Sequence, residues 1–291
     1  MKGKKGLRVG YAISDCVHKD LAESLESLGK TDVVELQLDD FIWDLDTARN
    51  SLDKIGFISV HVASKDQDLS ADESHIKHST ILNTIKSMDF AHEAGADSLV
   101  IHPINNMYLD PGQRLQRKRN FLKVFKDNLI PHYQDNGHEY IICLENIEYP
   151  KYPATLEESL MLHREASTYH QVGMAIDVPH VWNTRRILRE DPARYIDWTA
   201  GYPDDRENLA DYISGFIERN KDKIVLYHIA GFSEKPGKNP VTTHGPLYGE
   251  FINDEYRILM ELLKDKPIVM EIHDEDYEVM KLSKESMEGL R

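Results

Sequence analysis

The chain has 291 residues, a formal net charge of -15, and 29% charged and 41% hydrophobic residues, the balance of a soluble globular protein. The acidic charge argues against a nucleic-acid partner, because phosphate neutralisation supplies most non-specific affinity for nucleic acids. The apolar stretches are short and interrupted by charge, so we expect no membrane span. The two cysteines, Cys16 and Cys143, do not make a disulfide framework, and we expect a cytoplasmic protein.

Eight short apolar runs have the length and the β-branched content of buried strands. They are almost continuously apolar, and none is joined to the next by a short hairpin turn. Both features predict a parallel sheet that is buried on both faces. The predicted strands are residues 7–13, 33–38, 57–63, 98–104, 140–147, 173–180, 224–232 and 267–274.

Longer amphipathic stretches separate these runs and predict helices. One of them begins with Thr155 and Glu158 at the spacing of a capping box, and the basic run 112–120 is typical of the polar start of another. The repeated β-then-α order predicts an α/β protein, a single-domain (β/α)8 TIM barrel over residues 1–291. An open doubly wound sheet is the alternative. The clearest predicted helices are residues 18–29, 72–95, 155–170 and 254–265.

The connection between the sixth and seventh predicted strands, at about 181–222, is unusually long and contains two helix candidates. Long loops on this side of a barrel commonly shape a substrate pocket. A structural elaboration and a contact within a homo-oligomer are the other interpretations of this segment.

Ionisable side chains stand at the C-terminal ends of the third to the eighth predicted strands. In a parallel barrel these ends share one face, where barrel enzymes carry their active sites. Each residue alone is compatible with a core position, but each would be a buried polar group that needs a partner. Because one metal ion can serve several of them, the recurrence favours a metal site. The candidate ligands are His61, His102, Glu145, Asp177, His180, His228 and Glu271, with His244 in the loop after the seventh strand.

Imidazole and carboxylate ligands without cysteine fit zinc, manganese, iron or cobalt better than calcium. Glu145 lies between the histidine-bearing strands and the acidic sixth strand, so it is a candidate bridge between two metals. The remaining histidines in or beside predicted helices are expected to lie away from this face. They are His75, His78, His92, His132, His138, His163 and His170.

The ordered motifs "SVHVA", "VIHP", "CLEN", "DVPH", "YHIAG", "THGPLYGEF" and "MEIHD" resemble those of the xylose-isomerase-like TIM barrels. That superfamily includes sugar-phosphate isomerases and epimerases and the endonuclease IV type of abasic-site nuclease. The resemblance covers the third to the eighth strand. It implies a divalent metal cofactor, zinc or manganese, with one to three ions.

The isomerase and epimerase branch implies one metal held by Glu145, Asp177, His228 and Glu271. The resemblance also implies that Glu145 and Glu271 flank the substrate and move protons through an enediolate, and that His180 contacts the substrate. We expect this activity, on a small-molecule sugar or sugar phosphate. Candidate groups for a substrate phosphate are Lys235, Lys238 and Arg185, although solvated loop charges are the alternative for each.

The endonuclease IV branch implies three zinc ions and the full ligand set, including His61, His102, His180 and His244. That branch carries an aspartate two residues before the loop histidine, where this chain has Thr242. The loops "DDFIWDLD" (39–46) and "VASKDQDLS" (62–70) also lack the arginine and the aromatic residue expected of DNA-handling loops. A phosphodiesterase is therefore the first alternative, and a metal-containing barrel that binds a ligand without turnover is the second.

Overall fold

The computed structural model describes residues 8–63, 67–105, 111–190, 208–234, 241–248, 254–272 and 276–289. Eight parallel strands form a closed barrel in the order β1-β10-β7-β6-β5-β4-β3-β2. Strand β1 pairs with both β10 and β2, which closes the sheet. The predicted (β/α)8 TIM barrel is therefore confirmed. The barrel strands are β1 (Arg8–Ser14), β2 (Val34–Gln37), β3 (Ile58–His61), β4 (Ser98–Ile101), β5 (Ile141–Glu145), β6 (Val172–Asp177), β7 (Ile224–Ile229) and β10 (Pro267–Met270).

Helices surround the barrel, and the four clearest predicted helices are all present with slightly shorter bounds. Thr155 and Glu158 form the predicted capping box: the Thr155 hydroxyl accepts from the Glu158 N–H at 3.2 Å, and the Glu158 carboxylate accepts from the Thr155 N–H at 3.2 Å. A π-helical turn, Phe125–Leu129, joins α4 to α5. The helices are α1 (Leu21–Leu28), α2 (Leu45–Leu52), α3 (Ser74–Glu93), α4 (Pro111–Val124), α5 (Ile130–Asp135), α6 (Leu156–Ala166), α7 (Val178–Glu190), α8 (Leu209–Asn220), α9 (Asp254–Leu263) and α10 (Tyr277–Gly289).

Alternation along the strands separates two apolar layers. In β7, Tyr227 and Ile229 belong to the large core between barrel and helices, whereas Leu226 belongs to a small cluster inside the barrel. Because side chains alternate with a period of two, the next inward position after Leu226 is His228. In β5, β6 and β10 as well, the polar residue at the strand end lies two positions after a residue of this inner apolar cluster. The inner cluster contains Ala12, Val33, Phe57, Val100, Cys143, Ala175, Leu226 and Val269.

Two features differ from the sequence prediction. The chain after β7 forms an antiparallel pair, β8 (Gly231–Glu234) and β9 (Val241–Gly245), although no hairpin was expected. The seventh strand therefore ends at Ile229 and not at residue 232. Likewise β6 ends at Asp177 and α7 begins at once, because Pro179 lacks the N–H that a central strand needs and is tolerated in a first helical turn. His180 consequently lies at the start of a helix.

The long connection at about 181–222 runs through α7 and α8 at its two ends, while residues 191–207 lie outside the described part of the chain. The domain limits of 1–291 stay a prediction. Within the described ranges, no helix is both long and apolar enough to cross a bilayer.

Candidate metal centre

Four buried side chains from four neighbouring strands converge at the C-terminal mouth of the barrel. Glu145, Asp177, His228 and Glu271 each offer one ligand atom, and these atoms lie within 4.8 Å of one another. The barrel order places their strands side by side. We refer to these four residues as the metal tetrad, because their donors are the imidazole and carboxylate groups that divalent transition metals prefer.

His228 is held between two carboxylates. Its Nδ1 atom is 2.7 Å from Oε1 of Glu145, and its Nε2 atom is 3.0 Å from Oε2 of Glu35. Burial alone would lower the pKa of His228, but Glu35, Glu271 and Glu145 outweigh burial and raise that pKa well above its ordinary value. Nδ1 faces the tetrad, so the Glu35 contact fixes which ring nitrogen is presented to a metal.

Asp177 shows that the tetrad fits a cation. Its Oδ2 atom is buried and has no hydrogen-bond partner among the described residues, while Oδ1 accepts a short hydrogen bond from the backbone N–H of His180. Burial raises the pKa of Asp177 well above its usual range, and the charges of Glu271 and Glu145 act in the same direction. A bound divalent cation would supply the missing partner and reverse this penalty.

A second group of candidate ligands shares Glu145. The Nε2 atoms of His61 and His102 lie 3.0 Å and 2.8 Å from Oε2 of Glu145, whereas Oε1 of Glu145 faces His228. Burial would raise the pKa of Glu145, but His228 and His102 hold it well below its usual range. The three residues His61, His102 and Glu145 meet the same distance criterion as the tetrad.

The other two predicted ligands lie at the edge of the tetrad. Nδ1 of His180 is 2.7 Å from Oε2 of Glu148 and 3.6 Å from Oδ1 of Asp177. Burial would lower the pKa of His180, but Asp177 and Glu148 raise it to about 9. Nδ1 of His244 lies 3.3 Å from the backbone oxygen of Glu271 and 4.0 Å from its Oε2 atom. Neither histidine belongs to a compact ligand group among the described residues.

A cavity of about 570 Å³ opens above the tetrad, a size suited to a small ligand. His61, His102, His180, His244 and Glu271 line it, and Glu145 lies behind His61 and His102 without any exposed side-chain surface. The wall is acidic: among the described lining residues, one lysine accompanies four carboxylates. These are Lys151, Asp39, Asp40, Glu148 and Glu271.

Of the predicted phosphate-binding residues, only Arg185 lies within the described part of the chain. The Arg185 guanidinium lies 5.1 Å from the ring centre of Tyr212, and Arg185 is not among the cavity-lining residues. Lys235 and Lys238 lie outside the described residues. Their contact with substrate stays a prediction.

Sequence reasoning missed three residues of this site: Glu35, Gln37 and Glu148. Glu35 and Gln37 occupy alternate positions of β2, and Gln37 donates from Nε2 to Oε1 of Glu271 at 2.7 Å. A carboxylate within the apolar run 33–38 was the available signal, because a fully buried glutamate needs a partner.

Comparisons with known proteins agree with this architecture. The family model described as the xylose isomerase-like TIM barrel matches residues 23–291. A search of the curated proteins finds no significant match.

Three solved structures show the same fold over nearly the whole chain. A D-tagatose 3-epimerase-like protein is 17% identical, with a TM-score of 0.63 and coverage of 96% of this chain and 97% of that one. The 3-keto-D-glucoside 4-epimerase of E. coli is 14% identical, with a TM-score of 0.64 and coverage of 98% and 99%. Endonuclease IV of Thermus thermophilus is 16% identical, with a TM-score of 0.63 and coverage of 97% and 99%.

These identities show a shared fold and do not distinguish epimerase from nuclease. The family match extends over most of the chain, and family members are enzymes of both kinds. The chain therefore belongs to the xylose isomerase-like TIM barrel family.

Proposed function

We propose that this protein is a divalent-metal-dependent epimerase or isomerase of a small, uncharged sugar. The observation that carries the proposal is the buried tetrad of Glu145, Asp177, His228 and Glu271 beneath a cavity of about 570 Å³. Zinc and manganese both suit these donors.

Epimerisation or isomerisation of a sugar by this route needs two groups that transfer protons. A divalent cation held by the tetrad would polarise the carbonyl and hydroxyl oxygens of the sugar and lower the energy of an enediolate. Glu271 lines the cavity, and its Oε1 atom is held by Gln37, so its carboxylate is oriented toward a bound ligand. The reaction requires His61 and His102 to move off the buried carboxylate of Glu145. One of Glu271 and Glu145 then removes a proton from the carbon beside the carbonyl. The other returns a proton to that carbon or to its neighbour.

His180 has a binding role in this proposal. It lines the cavity, and its Nδ1 atom lies 2.7 Å from the Glu148 carboxylate, whose charge favours the protonated form. A protonated imidazole donates a hydrogen bond to a sugar hydroxyl or carbonyl oxygen. Glu148 is therefore a positioning residue, since it acts through His180.

The charge of the cavity supports an uncharged sugar over a sugar phosphate. Asp39, Asp40, Glu148 and Glu271 outnumber Lys151 along the described wall, and Lys151 is itself 3.2 Å from Glu148. A phosphate in this position would be repelled by the carboxylates, and the one lysine of the described wall is already paired with Glu148. The two epimerase structures with this fold are named for D-tagatose and 3-keto-D-glucoside, which carry no phosphate, and so they also favour an uncharged sugar.

Exchange of solvent deuterium tests the proposal. The metal-loaded protein is incubated in D₂O with a panel of ketoses and keto-sugars, each also offered as its phosphate, and products are read by mass spectrometry and NMR. We expect deuterium at a carbon beside the carbonyl of an uncharged sugar, and its loss in Glu271→Gln. Metal binding without exchange into any sugar would contradict the proposal and favour a ligand-binding barrel.

An endonuclease IV-type phosphodiesterase is the second candidate, favoured by the additional group of His61, His102 and Glu145. These residues would support a second ion next to the tetrad, and metal ions placed together assist phosphodiester cleavage. Cleavage of a duplex with a single abasic site, at moderate salt, tests this candidate. We expect none, because Asp39 and Asp40 place negative charge at the cavity wall; cleavage that Asp177→Asn abolishes would replace our first proposal.

A further inference from the structure

Several histidines gather at the end of the barrel opposite the tetrad. Asp89 lies in the last turns of α3, His132 lies in α5, and His138 precedes β5. Their chain positions place them at the N-terminal ends of the strands, whereas Glu145 stands at the C-terminal end of β5. Asp89, His132 and His138 each offer a ligand atom, and these atoms lie within 4.8 Å of one another. We refer to these three residues as the basal triad.

His138 is a buried side chain without hydrogen bonds. Its side chain is 2% exposed, and neither ring nitrogen has a hydrogen-bond partner among the described residues. Aromatic rings surround it: the ring centre of Tyr133 is 5.7 Å away and that of Tyr140 is 5.4 Å away. Two buried ring nitrogens without hydrogen bonds are unfavourable, and a bound cation removes the penalty at one of them.

The distances between ligand atoms of the triad are close to those between ligands of one metal ion. Nε2 of His138 is 3.4 Å from Oδ1 of Asp89, too far for a good hydrogen bond. Two ligands on a tetrahedral zinc ion lie about 3.3 Å apart, given metal–ligand bonds of about 2.0–2.1 Å. Nε2 of His132 is 2.7 Å from the same oxygen, an ordinary hydrogen bond that would lengthen by about half an ångström around an ion.

The protonation state of His138 also suits a metal. Burial lowers the pKa of His138, and the neighbouring imidazoles of His92 and His132 add to this effect despite the charge of Asp89. A neutral imidazole is the form that binds metals. Asp89 is half exposed, at 47% of its side chain, so the triad is open to solvent on one side.

We propose that Asp89, His132 and His138 bind a second, independent divalent transition metal at the base of the barrel, with solvent water completing its coordination. Two imidazoles and one carboxylate fit zinc. Because the ligands come from α3, α5 and the segment before β5, a bound ion would tie these elements together. The role is structural, and it does not depend on the proposed sugar chemistry.

Metal stoichiometry tests the proposal in the full-length protein. Chelator-treated wild type, His132→Gln and His170→Gln are titrated with Co²⁺ alone, and bound metal per chain is measured after equilibrium dialysis. His170 is a matched control, because its ring is 4.6 Å from the Tyr133 ring and it is not a member of the triad. We expect His132→Gln to bind one equivalent less than wild type and His170→Gln to bind as much as wild type. Equal binding by a folded His132→Gln variant would overturn the proposal.

A second test uses crystals of the wild-type protein, so its result does not depend on whether a variant folds. After soaking in ZnCl₂, data are collected on both sides of the zinc edge. We expect a peak about 2.0–2.2 Å from Oδ1 of Asp89 and Nε2 of both histidines. A map with zinc at the tetrad and none at the basal triad would overturn the proposal, whereas the reverse pattern would uphold it and overturn the metal requirement of the proposed function.

Discussion

Nδ1 of His228 lies 2.7 Å from Oε1 of Glu145, and both side chains are completely buried at the mouth of the barrel. The two residues stand on β7 and β5, with Asp177 of β6 between them in the barrel order. A buried ion pair of this kind is expensive to maintain unless further groups complete it. Here Glu271 and Asp177 are close enough to share one cation with the pair.

Asp177→Asn separates the proposed metal-binding role of this carboxylate from its effect on stability. Asp177 has an unpartnered Oδ2 atom and a raised pKa, so removal of its charge relieves the metal-free protein of an unfavourable group. With chelator present, we expect the free energy of unfolding of the variant to lie within about 1 kcal/mol of the wild-type value. With metal present, we expect the thermal midpoint to rise less in Asp177→Asn than in wild type, because the variant can gain only from an ion at the basal triad.

Differential scanning calorimetry with and without Zn²⁺ or Mn²⁺ measures both effects. Asp72→Asn is the control, because Asp72 is an exposed partner of Arg117 and is not one of the residues that line the cavity. A metal-induced rise of the midpoint in Asp177→Asn as large as that of wild type would contradict the assignment of Asp177 as a ligand.

Glu35→Gln tests how the orientation of His228 is maintained. Glu35 accepts from Nε2 of His228, and a carboxylate in this position orients the ring and increases the basicity of the ligand nitrogen. We expect metal affinity to fall by about 10- to 100-fold, as measured by competition with a chromophoric chelator. Ser59→Ala, which removes only the hydroxyl that donates to Glu35 at 2.8 Å, should have a smaller effect. Unchanged affinity in Glu35→Gln would show that Nε2 needs no anionic partner.

Much of this site was predictable because strand alternation is regular. Once residues 226 and 228 are known to share the inward face of one strand, the equivalent pairs in β5, β6 and β10 follow, and with them the tetrad. His180 was predicted to lie in the sixth strand. It lies in the first turn of α7 instead, because Pro179 cannot continue the strand and is tolerated at the start of a helix. Glu35 was missed because its partner, His228, is distant in sequence and becomes a neighbour only when the barrel closes.

The basal triad was not predictable from the sequence for a different reason. Its members belong to a helix, a second helix and a connecting segment, and no single periodicity relates these three elements. Histidines in helices were expected to lie away from the strand C-terminal ends, and His132 and His138 do lie at the opposite end of the barrel. Only the packing of α3 beside the π-helical turn and α5 brings Asp89 to them.

Gly10→Ala tests the packing of the barrel wall. A Cβ atom on Gly10 would lie 1.8 Å from the carbonyl oxygen of Val33, which belongs to the backbone and cannot turn aside. We expect a loss of about 3 kcal/mol in the free energy of unfolding. Gly215→Ala is the matched control: it lies within α8, its nearest neighbour would be the flexible end of Arg219 at 3.5 Å, and it should gain about 1 kcal/mol. Chemical denaturation measures both changes, and similar stability of the two variants would contradict this wall geometry.

His163 should make stability depend on pH. Burial lowers the pKa of His163, whose Nε2 donates to the backbone oxygen of Val172 at 3.1 Å. In the unfolded chain this pKa returns to about 6.5, so below that pH the unfolded state binds a proton that the folded state does not. The free energy of unfolding should therefore decrease as the pH falls from 7 to 5, and less steeply in His163→Gln. Denaturation at several pH values in the presence of chelator measures the difference; parallel curves would mean that His163 is not buried in its neutral form.

Anomalous scattering from crystals grown with Mn²⁺ or Zn²⁺ locates an ion among the side chains and so tests the proposed metal centre itself. We predict one ion at the cavity, bound by Glu145, Asp177, His228 and Glu271, whether or not the basal triad is also occupied. Additional ions at His61 and His102, or at His180 and His244, would contradict the mononuclear epimerase and favour the nuclease. A cavity without any ion at saturating metal would contradict the metal centre itself.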